Sequence, residues 1–383
     1  LDLTSLSIEQ LMNIDITTVS KREQKLAKTA SAVFVLTAED IRRSGLTSIP
    51  EVLRMVPGLQ VARMDSNKWA ITSRGFNKRF ANKLLVMIDG RTVYTSLFSG
   101  VYWDVQDLLL EDVEHIEVIR GPGGSVWGAN AVNGVINIIT KKAEDTQGIL
   151  VTAGAGNEDK GIAGVRFGGK IGENAHYRLY TKYFNRDDFV TPSEDRADDE
   201  WDFLRGGFRT DWQMSDENLL TLQGDIYNGD SGQTATFATF PTTTFRDTAE
   251  VAGGNMLARW KHTYSDTSDM TIQLYYDRTE RDSAVLEQYH DTIDFEFFHQ
   301  FGLGERQKLT WGTGYRFIGD NLDNVNGSTS TLDTEVRSSH IFSTFVQDEI
   351  TLVPERLTLT LGTKLEQNSY TGFEHQPSGR LAW

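Results

Sequence analysis

The stretch "VIRGPGGSVWGANAVNGVINIITKK", from Val118 to Lys142, decides the fold of the first part of this chain. An apolar strand leads into a run rich in Gly and Asn, and a second apolar strand follows. A nucleotide-binding P-loop needs a Lys directly after its last Gly, but Ala129 follows Gly128. The dinucleotide-binding fingerprint also fails, because Val126 occupies the position of its third Gly. The stretch therefore predicts tight turns in which Gly and Asn tolerate positive φ.

Composition divides the 383 residues into two parts, and the length exceeds that of one ordinary domain. The absence of Cys excludes disulfides and thiolate metal sites. The first 145 residues hold 17 of the 38 basic and 17 of the 54 acidic residues, so the whole net charge of −16 lies in the remainder. An acidic second part argues against a nucleic-acid partner, whose phosphates require a basic face.

The first part reads as a small α+β domain. "SAVFVLTAEDIRRSG" predicts a strand followed by a helix, because Thr37 and Asp40 have the spacing of a capping box and Gly45 is a natural helix stop. In "LLVMIDGRTV", Asp89 and Gly90 predict the turn of a hairpin.

After about residue 146 the hydrophobic period changes to two. In "LTLTLGTKLE" (357–366), leucines alternate with Thr, Gly, Lys and Glu. In "MTIQLYYD" (270–277), Met, Ile, Leu and Tyr on one face alternate with Thr, Gln, Tyr and Asp on the other. We predict about eleven full strands and the start of a twelfth, joined alternately by short turns and by long connections at 186–200, 229–250 and 319–336. Apolar-out, polar-in strands with this asymmetry are typical of a transmembrane β-barrel. A soluble all-β enzyme would also alternate, but it would bury its apolar face in a core.

Four blocks of the first part resemble, in order and spacing, the plug domain of TonB-dependent outer-membrane receptors: "FVLTAEDIRRSG", "IPEVLRMVPGLQV", "ITSRGFNKRFANKLLVMIDGRTVY" and "VEHIEVIRGPGGSVWGANAVNGVINIITKK". The resemblance covers residues 14–142 closely and the barrel more weakly. It implies active uptake of a scarce nutrient complex across a Gram-negative outer membrane. The partners it implies are TonB on the periplasmic side, outer-membrane lipid, and a metal-chelate small molecule. An iron-siderophore is the leading cargo, with cobalamin, haem or another chelate as alternatives; a passive porin and a soluble all-β enzyme are remote.

The size of the plug supports a large barrel. A 12-stranded barrel has a radius of only ~12 Å and a 22-stranded one ~22 Å. A compact domain of this size has an outer radius near ~19 Å, so it fits only the larger barrel. We therefore expect 22 strands in the full-length protein, of which about 11–12 are present here. The expected division is an N-terminal segment at 1–30, the plug at 31–145, and an incomplete barrel at 146–383.

Coupling to TonB is expected at "IDITTVSK", Ile14 to Lys21, which resembles the family's TonB box. The matching residues are Asp15, Ile16, Thr17, Thr18, Val19 and Ser20. An extended segment with β-branched residues suits pairing with the edge of a partner sheet. The alternative is an ordinary plug strand. We expect residues 1–20 to be mobile when no partner is bound.

Ligand contact is expected, by the same resemblance, on two outward plug loops. In "ARMDSNKWA" the matching residues are Arg63, Asp65, Asn67 and Trp69. In "TVYTSLFSGVYWD" they are the aromatic residues Tyr94, Phe98, Tyr102 and Trp103. Exposed aromatic rings offer flat contact area at low entropic cost, although each could instead pack against the barrel wall.

Arg74 and Arg120 match plug arginines that, in the family, pair with barrel glutamates. Glu349 and Glu366 are candidate partners, and the alternative is that the partners lie on the barrel strands expected beyond this sequence. These arginines could also be solvated. The connection "RDDFVTPSEDRADDEWD" holds eight acidic residues; it could bind Ca²⁺, but it lacks EF-hand spacing and a solvated loop is the better interpretation. The sequence shows no catalytic constellation and predicts no enzyme, no resident metal and no cofactor.

Overall fold

The computed structural model describes residues 15–21, 24–26, 29, 31–75, 77–78, 80–237, 243–324 and 336–383. Within these residues a small mixed α+β unit, the plug, lies against one face of a long antiparallel sheet. The N-terminal segment up to Ile14 lies outside the described residues.

The strands of the plug are β1 (Asp15–Ile16), β2 (Gln24–Lys25), β3 (Val33–Thr37), β4 (Leu59–Arg63), β5 (Trp69–Ser73), β6 (Leu84–Ile88), β7 (Arg91–Thr92), β8 (Val113–Ile119) and β9 (Gly134–Thr140); the helices are α1 (Ala38–Ser44), α2 (Ile49–Val52) and α3 (Gly124–Trp127). Five of the strands form a sheet with the order β3-β8-β9-β6-β7, in which β6 and β9 run parallel. Two further strand pairs, β1 with β2 and β4 with β5, lie beside it. Short 3₁₀ turns occupy 53–55, 103–105, 110–112 and 143–146.

Local sequence signals explain several of these boundaries. Helix α1 begins with the predicted capping box between Thr37 and Asp40 and ends at Gly45 in the left-handed conformation. Asp89 and Gly90 both have positive φ, as a tight hairpin turn requires, and they connect β6 to β7. These elements are confirmed as predicted.

The Gly-rich stretch is a compact turn around α3, between β8 and β9. A Cβ on Gly134 would lie 2.3 Å from the carbonyl oxygen of Ile119 in the neighbouring strand. Gly128 has φ +92°, and a Cβ there would lie 2.6 Å from the Glu366 carboxylate of the long sheet. The glycines therefore permit close backbone approach, within the plug and against the barrel wall.

The long sheet contains twelve strands in chain order, each antiparallel to the next. They are β10 (Gly148–Gly154), β11 (Asp159–Ile171), β12 (Ala175–Arg186), β13 (Trp201–Ser215), β14 (Asn218–Phe237), β15 (Thr243–Ser265), β16 (Ser268–Asp282), β17 (Leu286–Leu303), β18 (Gln307–Asn324), β19 (Val336–Val353), β20 (Leu357–Asn368) and β21 (Gly372–Ala382). The predicted plug and antiparallel barrel strands are confirmed. In the described part of the chain, β10 and β21 form the two edges and no pairing joins them.

The two faces of the long sheet differ as the period-two pattern predicts. In β20, Leu361 and Leu365 are 46% and 37% exposed on the face away from the plug. Lys364 and Glu366, on the other face, are buried against the plug. An apolar outer face and a polar inner face suit a barrel wall in lipid.

The prediction of a long connection is correct at 186–200, between β12 and β13, but wrong at 229–250. There β14 and β15 continue as a paired hairpin to Phe237 and Thr243, so most of the predicted loop is strand. Thr, Ala and Phe dominate this segment, and such residues favour extended structure where a neighbouring strand supplies hydrogen bonds. One end of the sheet carries the β14–β15 hairpin and the 187–200 connection, and we call it the long-loop end. We call the opposite end the short-turn end.

Hydrophobic side chains of the plug pack together with inward-facing side chains of the barrel wall. Ile49, Leu53 and Ile116 are fully buried in one cluster with the inward-facing barrel residues Phe184 and Trp201. None of the helices among the described residues has the length and apolar character required to cross a membrane.

An uninterrupted row of carboxylates crosses the outer face of the sheet near the long-loop end. Its six members lie directly opposite one another on neighbouring strands: Asp202, Asp230, Glu250, Asp282, Glu287 and Asp323. Like charges at directly opposed cross-strand positions repel and destabilise a sheet.

Replacing Asp230 with Asn is therefore expected to stabilise the protein by about 0.5–1 kcal/mol, because Asp230 lies between Asp202 and Glu250. The measurement is the free energy of unfolding of the full-length protein in urea. The gain should shrink in 1 M salt, where the screening length falls to about 3 Å. Glu305→Gln, in an exposed turn outside the row, is the control. A gain that is absent at low salt would contradict the repulsion.

Candidate functional site

Ion pairs between plug carboxylates and barrel cations hold the plug against β11–β16. Asp112 Oδ1 lies 2.5 Å from Arg166 Nη1, and Asp112 Oδ2 lies 3.4 Å from Arg178 Nε. Asp107 Oδ2 lies 2.7 Å from Lys182 Nζ. All these side chains are nearly buried, so each charge depends on its partner.

The same zone includes Asp89 and Asp104 of the plug. The Asp89 carboxylate accepts hydrogen bonds from Thr140 of the plug and from Gln223 of β14. Asp104 Oδ2 accepts from Arg281 Nη2 at 2.5 Å. Plug carboxylates therefore meet inward-facing polar residues along several consecutive barrel strands.

The polarity of the pairs reverses further along the wall. Arg91 of the plug pairs with Asp277 of β16, and Lys21 pairs with Glu296 of β17. Lys21 Nζ also lies 4.5 Å from the ring centroid of Trp127 and 4.9 Å from that of Phe345. Its ammonium is thus enclosed by a carboxylate and aromatic rings, an arrangement that stabilises a desolvated cation.

Arg74 and Arg120 do not pair with the candidate partners Glu349 and Glu366 in the part of the chain that the structure describes. Arg74 Nη2 donates to the carbonyl oxygen of Arg120 at 2.7 Å, and Arg120 Nη1 donates to that of Pro57 at 2.9 Å. Within the described residues neither arginine pairs with a barrel carboxylate. Glu366 instead accepts from the backbone N–H of Ala129. The two arginines tie plug loops to one another, and the ion pairs at Asp112, Asp107 and Asp104 join plug to barrel.

The coupling segment, which we define as Asp15–Ser20, is held inside the plug. Ile16, Thr18, Val19 and Ser20 are all buried. Residues 15–16 pair with 24–25 in a short two-stranded sheet. Ile16–Ser20, which the sequence led us to expect as mobile, are therefore packed into the plug in this structure.

The first predicted ligand loop is largely occupied by internal contacts. Asn67 is buried and donates from Nδ2 to the carbonyl oxygens of Asp199 and Gly232 in the barrel. Trp69 is buried and donates from Nε1 to Glu51 at 2.7 Å.

Two charged residues of the same loop also have partners. Arg63 pairs with Glu158 at 2.5 Å, and Asp65 with Lys68 at 3.1 Å. Because Asn67 and Trp69 are buried, as described above, neither offers a surface to a ligand in this structure.

The second predicted loop, residues 92–104, keeps three aromatic side chains partly exposed and buries the fourth. Phe98 contacts Tyr102 edge to face, with ring centroids 5.0 Å apart. Phe80, which the sequence interpretation did not include, lies 5.0 Å from Phe98 and is 48% exposed. Tyr94 is half-buried, and Trp103 is buried in the core. We call Tyr94, Phe98, Tyr102 and Phe80 the aromatic cluster.

Barrel side chains fasten this loop near the long-loop end. Ser96 Oγ donates to Asp320 of β18, which also lies 2.7 Å from His290 Nδ1. The Tyr102 hydroxyl donates to Gln288 Oε1 at 3.2 Å. A cavity of about 170 Å³ beneath the loop is lined by Tyr94 and by Glu296, the partner of Lys21.

The acidic connection at 187–200 forms ion pairs within itself and with β15. Carboxylate oxygens of Asp188, Asp198 and Glu200 lie within 4.8 Å of one another. Asp188 pairs with Arg196 at 3.0 Å and Asp198 with Arg246 at 2.6 Å. The sequence interpretation was a solvated loop, and in the structure its Asp188 and Asp198 carboxylates are ion-paired.

Two family profiles together account for nearly the whole chain. The TonB-dependent receptor plug domain matches residues 25–135, and the TonB-dependent receptor-like β-barrel matches residues 145–383. This chain belongs to the TonB-dependent receptor family. Receptors of this family are β-barrel proteins of the Gram-negative outer membrane, which places the chain there. Its relatives are receptors and transporters, not enzymes.

Individual relatives of this TonB-dependent receptor differ in how much of it they match. The vitamin B12 transporter BtuB of Vibrio vulnificus is 32% identical over 145 residues, which cover 37% of this chain and 23% of the transporter. The ferric enterobactin receptor of Pseudomonas aeruginosa is 25% identical over 95% of this chain and 58% of the receptor. The structure of the siderophore receptor PirA from P. aeruginosa shares the fold, with a TM-score of 0.69 at 22% identity over 92% of this chain and 59% of PirA. The chain thus spans less than two thirds of the length of these relatives.

Sequence reasoning missed the ion pairs that join plug to barrel in this TonB-dependent receptor. A signal was present, because Arg178, Lys182 and Arg186 recur at a spacing of four on the inward face of β12. Alternation shows that such charges point inward but does not identify the plug carboxylate that each one meets.

Proposed function

We propose that this chain forms the plug and the N-terminal part of the barrel of a receptor that takes up a scarce chelated nutrient, most simply a ferric siderophore. One arrangement carries the proposal: an ion-paired plug lies between a partly exposed aromatic cluster and a buried coupling segment. A plug seated against the inner face of the barrel wall argues against a passive porin, because it would block the pore. The division into an N-terminal segment (1–30), a plug (31–145) and a barrel (146–383) belongs to this proposal.

The long-loop end is proposed to face the cell exterior and the short-turn end the periplasm, because outer-membrane barrels carry their longer loops outside. The Ser96–Asp320 contact lies close to the end of β18 at Asn324, so the aromatic cluster belongs to the exterior side. Cargo arriving from outside therefore meets the cluster before it meets the coupling segment.

The cargo class follows from the cluster and from the relatives. Phe80, Phe98 and Tyr102 present adjoining rings, which suit a flat or aromatic chelate. The ferric enterobactin receptor aligns with 95% of this chain, including the barrel, which supports a ferric siderophore. Cobalamin is the second candidate, supported by the BtuB relatives, whose alignments cover a smaller share of the chain. Haem and other chelates remain alternatives from the sequence.

Energy is proposed to reach the receptor through TonB, which would add a strand to the coupling segment. Ile16, Thr17, Thr18 and Val19 are β-branched, and such residues favour the extended conformation required. Outer-membrane lipid would surround the apolar outer face of the barrel.

The proposal is tested by binding of labelled ferric siderophores, cobalamin and haem to the full-length receptor. Replacing Tyr94, Phe98 or Tyr102 with Ala should weaken affinity for the true cargo roughly tenfold, since a ring that contacts cargo contributes about 1–2 kcal/mol. Phe167→Ala, on the outer face of β11, is the matched control and should bind normally. If the Tyr94, Phe98 and Tyr102 variants all bind as the wild type does, the loop is structural and the ligand assignment is wrong.

A further inference from the structure

The chain reverses direction at the tip of the second plug loop, between Thr95 and Gly100. These two residues form an isolated β-bridge, in which the N–H of Thr95 donates to the carbonyl oxygen of Gly100 at 2.9 Å. Ser99 has a φ of +57°. A Cβ on Gly100 would lie 2.5 Å from the ring of Phe98, so the turn depends on this glycine. The turn thus carries Phe98, a member of the aromatic cluster, at its tip.

One buried side chain of the barrel wall, Gln288 of β17, contacts both ends of this turn. Gln288 is 2% exposed, and its Oε1 accepts from the Tyr102 hydroxyl at 3.2 Å. Its Nε2 donates to Thr95 Oγ1 at 3.4 Å and to Asp320 Oδ1 at 3.5 Å. Asp320 in turn accepts from Ser96 Oγ. Because a side-chain amide carries an acceptor and two donors in one plane, Gln288 can hold the two ends of the turn together.

The ring of Tyr102 is fixed by the wall as well. The guanidinium carbon of Arg281 in β16 lies 4.4 Å from the ring centroid, and Arg281 Nη2 pairs with Asp104 at 2.5 Å. A guanidinium over an aromatic face is attracted to the ring. Phe98 packs edge to face against the same ring, so its position depends on that of Tyr102. The wall residues therefore determine where both rings lie.

We propose that Gln288 is a positioning residue that sets the affinity for cargo by holding the aromatic cluster in its binding geometry. This inference rests on the proposed role of the cluster in cargo binding. The apparent dissociation constant equals the intrinsic one divided by the fraction of receptor whose loop has the binding-competent conformation. Holding both ends of the turn raises that fraction before cargo arrives and removes an ordering cost from binding. Because Gln288 is buried, it acts through Tyr102 and Thr95 and does not contact cargo.

The first experiment measures the mobility of the loop in the full-length receptor without cargo. The 383 residues contain no Cys, so Ser99→Cys gives one attachment site for a nitroxide spin label once any Cys elsewhere in the receptor is replaced. Gln288→Leu removes the amide, and it should shift the label spectrum from the immobilised to the mobile form. Gln273→Leu is the matched control and should leave the spectrum unchanged. Gln273 is likewise buried and inward-facing, but it donates to the carbonyl oxygen of Gly90 in a different plug turn.

The second experiment measures affinity for whichever of the labelled ferric siderophores, cobalamin and haem the wild type binds most tightly. Gln288→Leu should weaken this affinity roughly tenfold, as expected if the competent loop conformation falls to about a tenth of the population. Tyr102→Phe keeps the ring and removes the hydroxyl, so it should act in the same direction. The double variant should be little weaker than Gln288→Leu, because both changes break one link. If Gln288→Leu fails to fold, Tyr102→Phe decides in both experiments.

The two measurements together separate positioning from a general contribution to stability. Fully additive effects in the double variant, or weaker binding with an immobile label, would overturn the inference. So would wild-type affinity in Gln288→Leu and Tyr102→Phe while Phe98→Ala weakens binding, because the cluster would then bind cargo without being held. If Phe98→Ala also binds as the wild type does, the cluster is not the cargo site, and the inference fails together with the proposed function.

Discussion

Deletion of Asp15–Ser20 from the full-length receptor is expected to abolish energised uptake and to leave surface binding of cargo intact. The segment supplies the backbone to which TonB is proposed to pair, whereas the aromatic cluster lies elsewhere on the plug. The measurements are accumulation of labelled cargo in cells and, in parallel, binding to isolated outer membranes. Uptake should fall to the level of cells that lack TonB.

A pair of single substitutions controls for the loss of chain length. Thr17→Pro removes the backbone N–H and should impair uptake, whereas Thr17→Ala retains it and should be tolerated. Normal uptake by the deletion variant would refute the assignment of the coupling segment. Loss of both uptake and binding would show that the segment holds the plug in place and does not act in coupling alone.

Removing the Asp112 carboxylate should have the largest effect on the seal between plug and barrel. Arg166 and Arg178 both lie against this carboxylate, and all three side chains are nearly buried. Asp112→Ala leaves buried positive charge without its partner, which typically costs about 3–5 kcal/mol. We expect a lower thermal unfolding temperature and a higher permeability of the outer membrane to large antibiotics.

The matched control is Arg42→Ala, which breaks the ion pair between Glu39 and Arg42 on the surface of α1. Exposed pairs contribute little to stability, so neither the unfolding temperature nor antibiotic permeability should change. Arg74→Ala should also leave the seal intact, because Arg74 is exposed and bonds to a plug carbonyl. Unchanged permeability in Asp112→Ala would show that this ion pair does not hold the plug.

Local patterns were enough to predict most of the architecture. The capping box at Thr37, the turn at Asp89–Gly90 and the period-two strands depend on neighbouring residues along the chain, and the structure confirms all three. The strand extension beyond Gly229 was missed, because a polar, Thr-rich segment becomes strand only when a paired neighbour supplies the hydrogen bonds.

Motifs and alternation along the chain were sufficient to predict a plug, an antiparallel barrel wall with an apolar outer face, and a β-branched segment near the start. The folded structure was needed to show which charges meet, as between Asp112 and Arg166, and which predicted ligand residues are buried, as Asn67 and Trp103 are. It also decided that the coupling segment is held by Glu117, about a hundred residues away in the chain. The physical reason is that alternation determines only the side of a strand on which a residue lies, whereas contacts between plug and wall depend on register and on how the plug is seated.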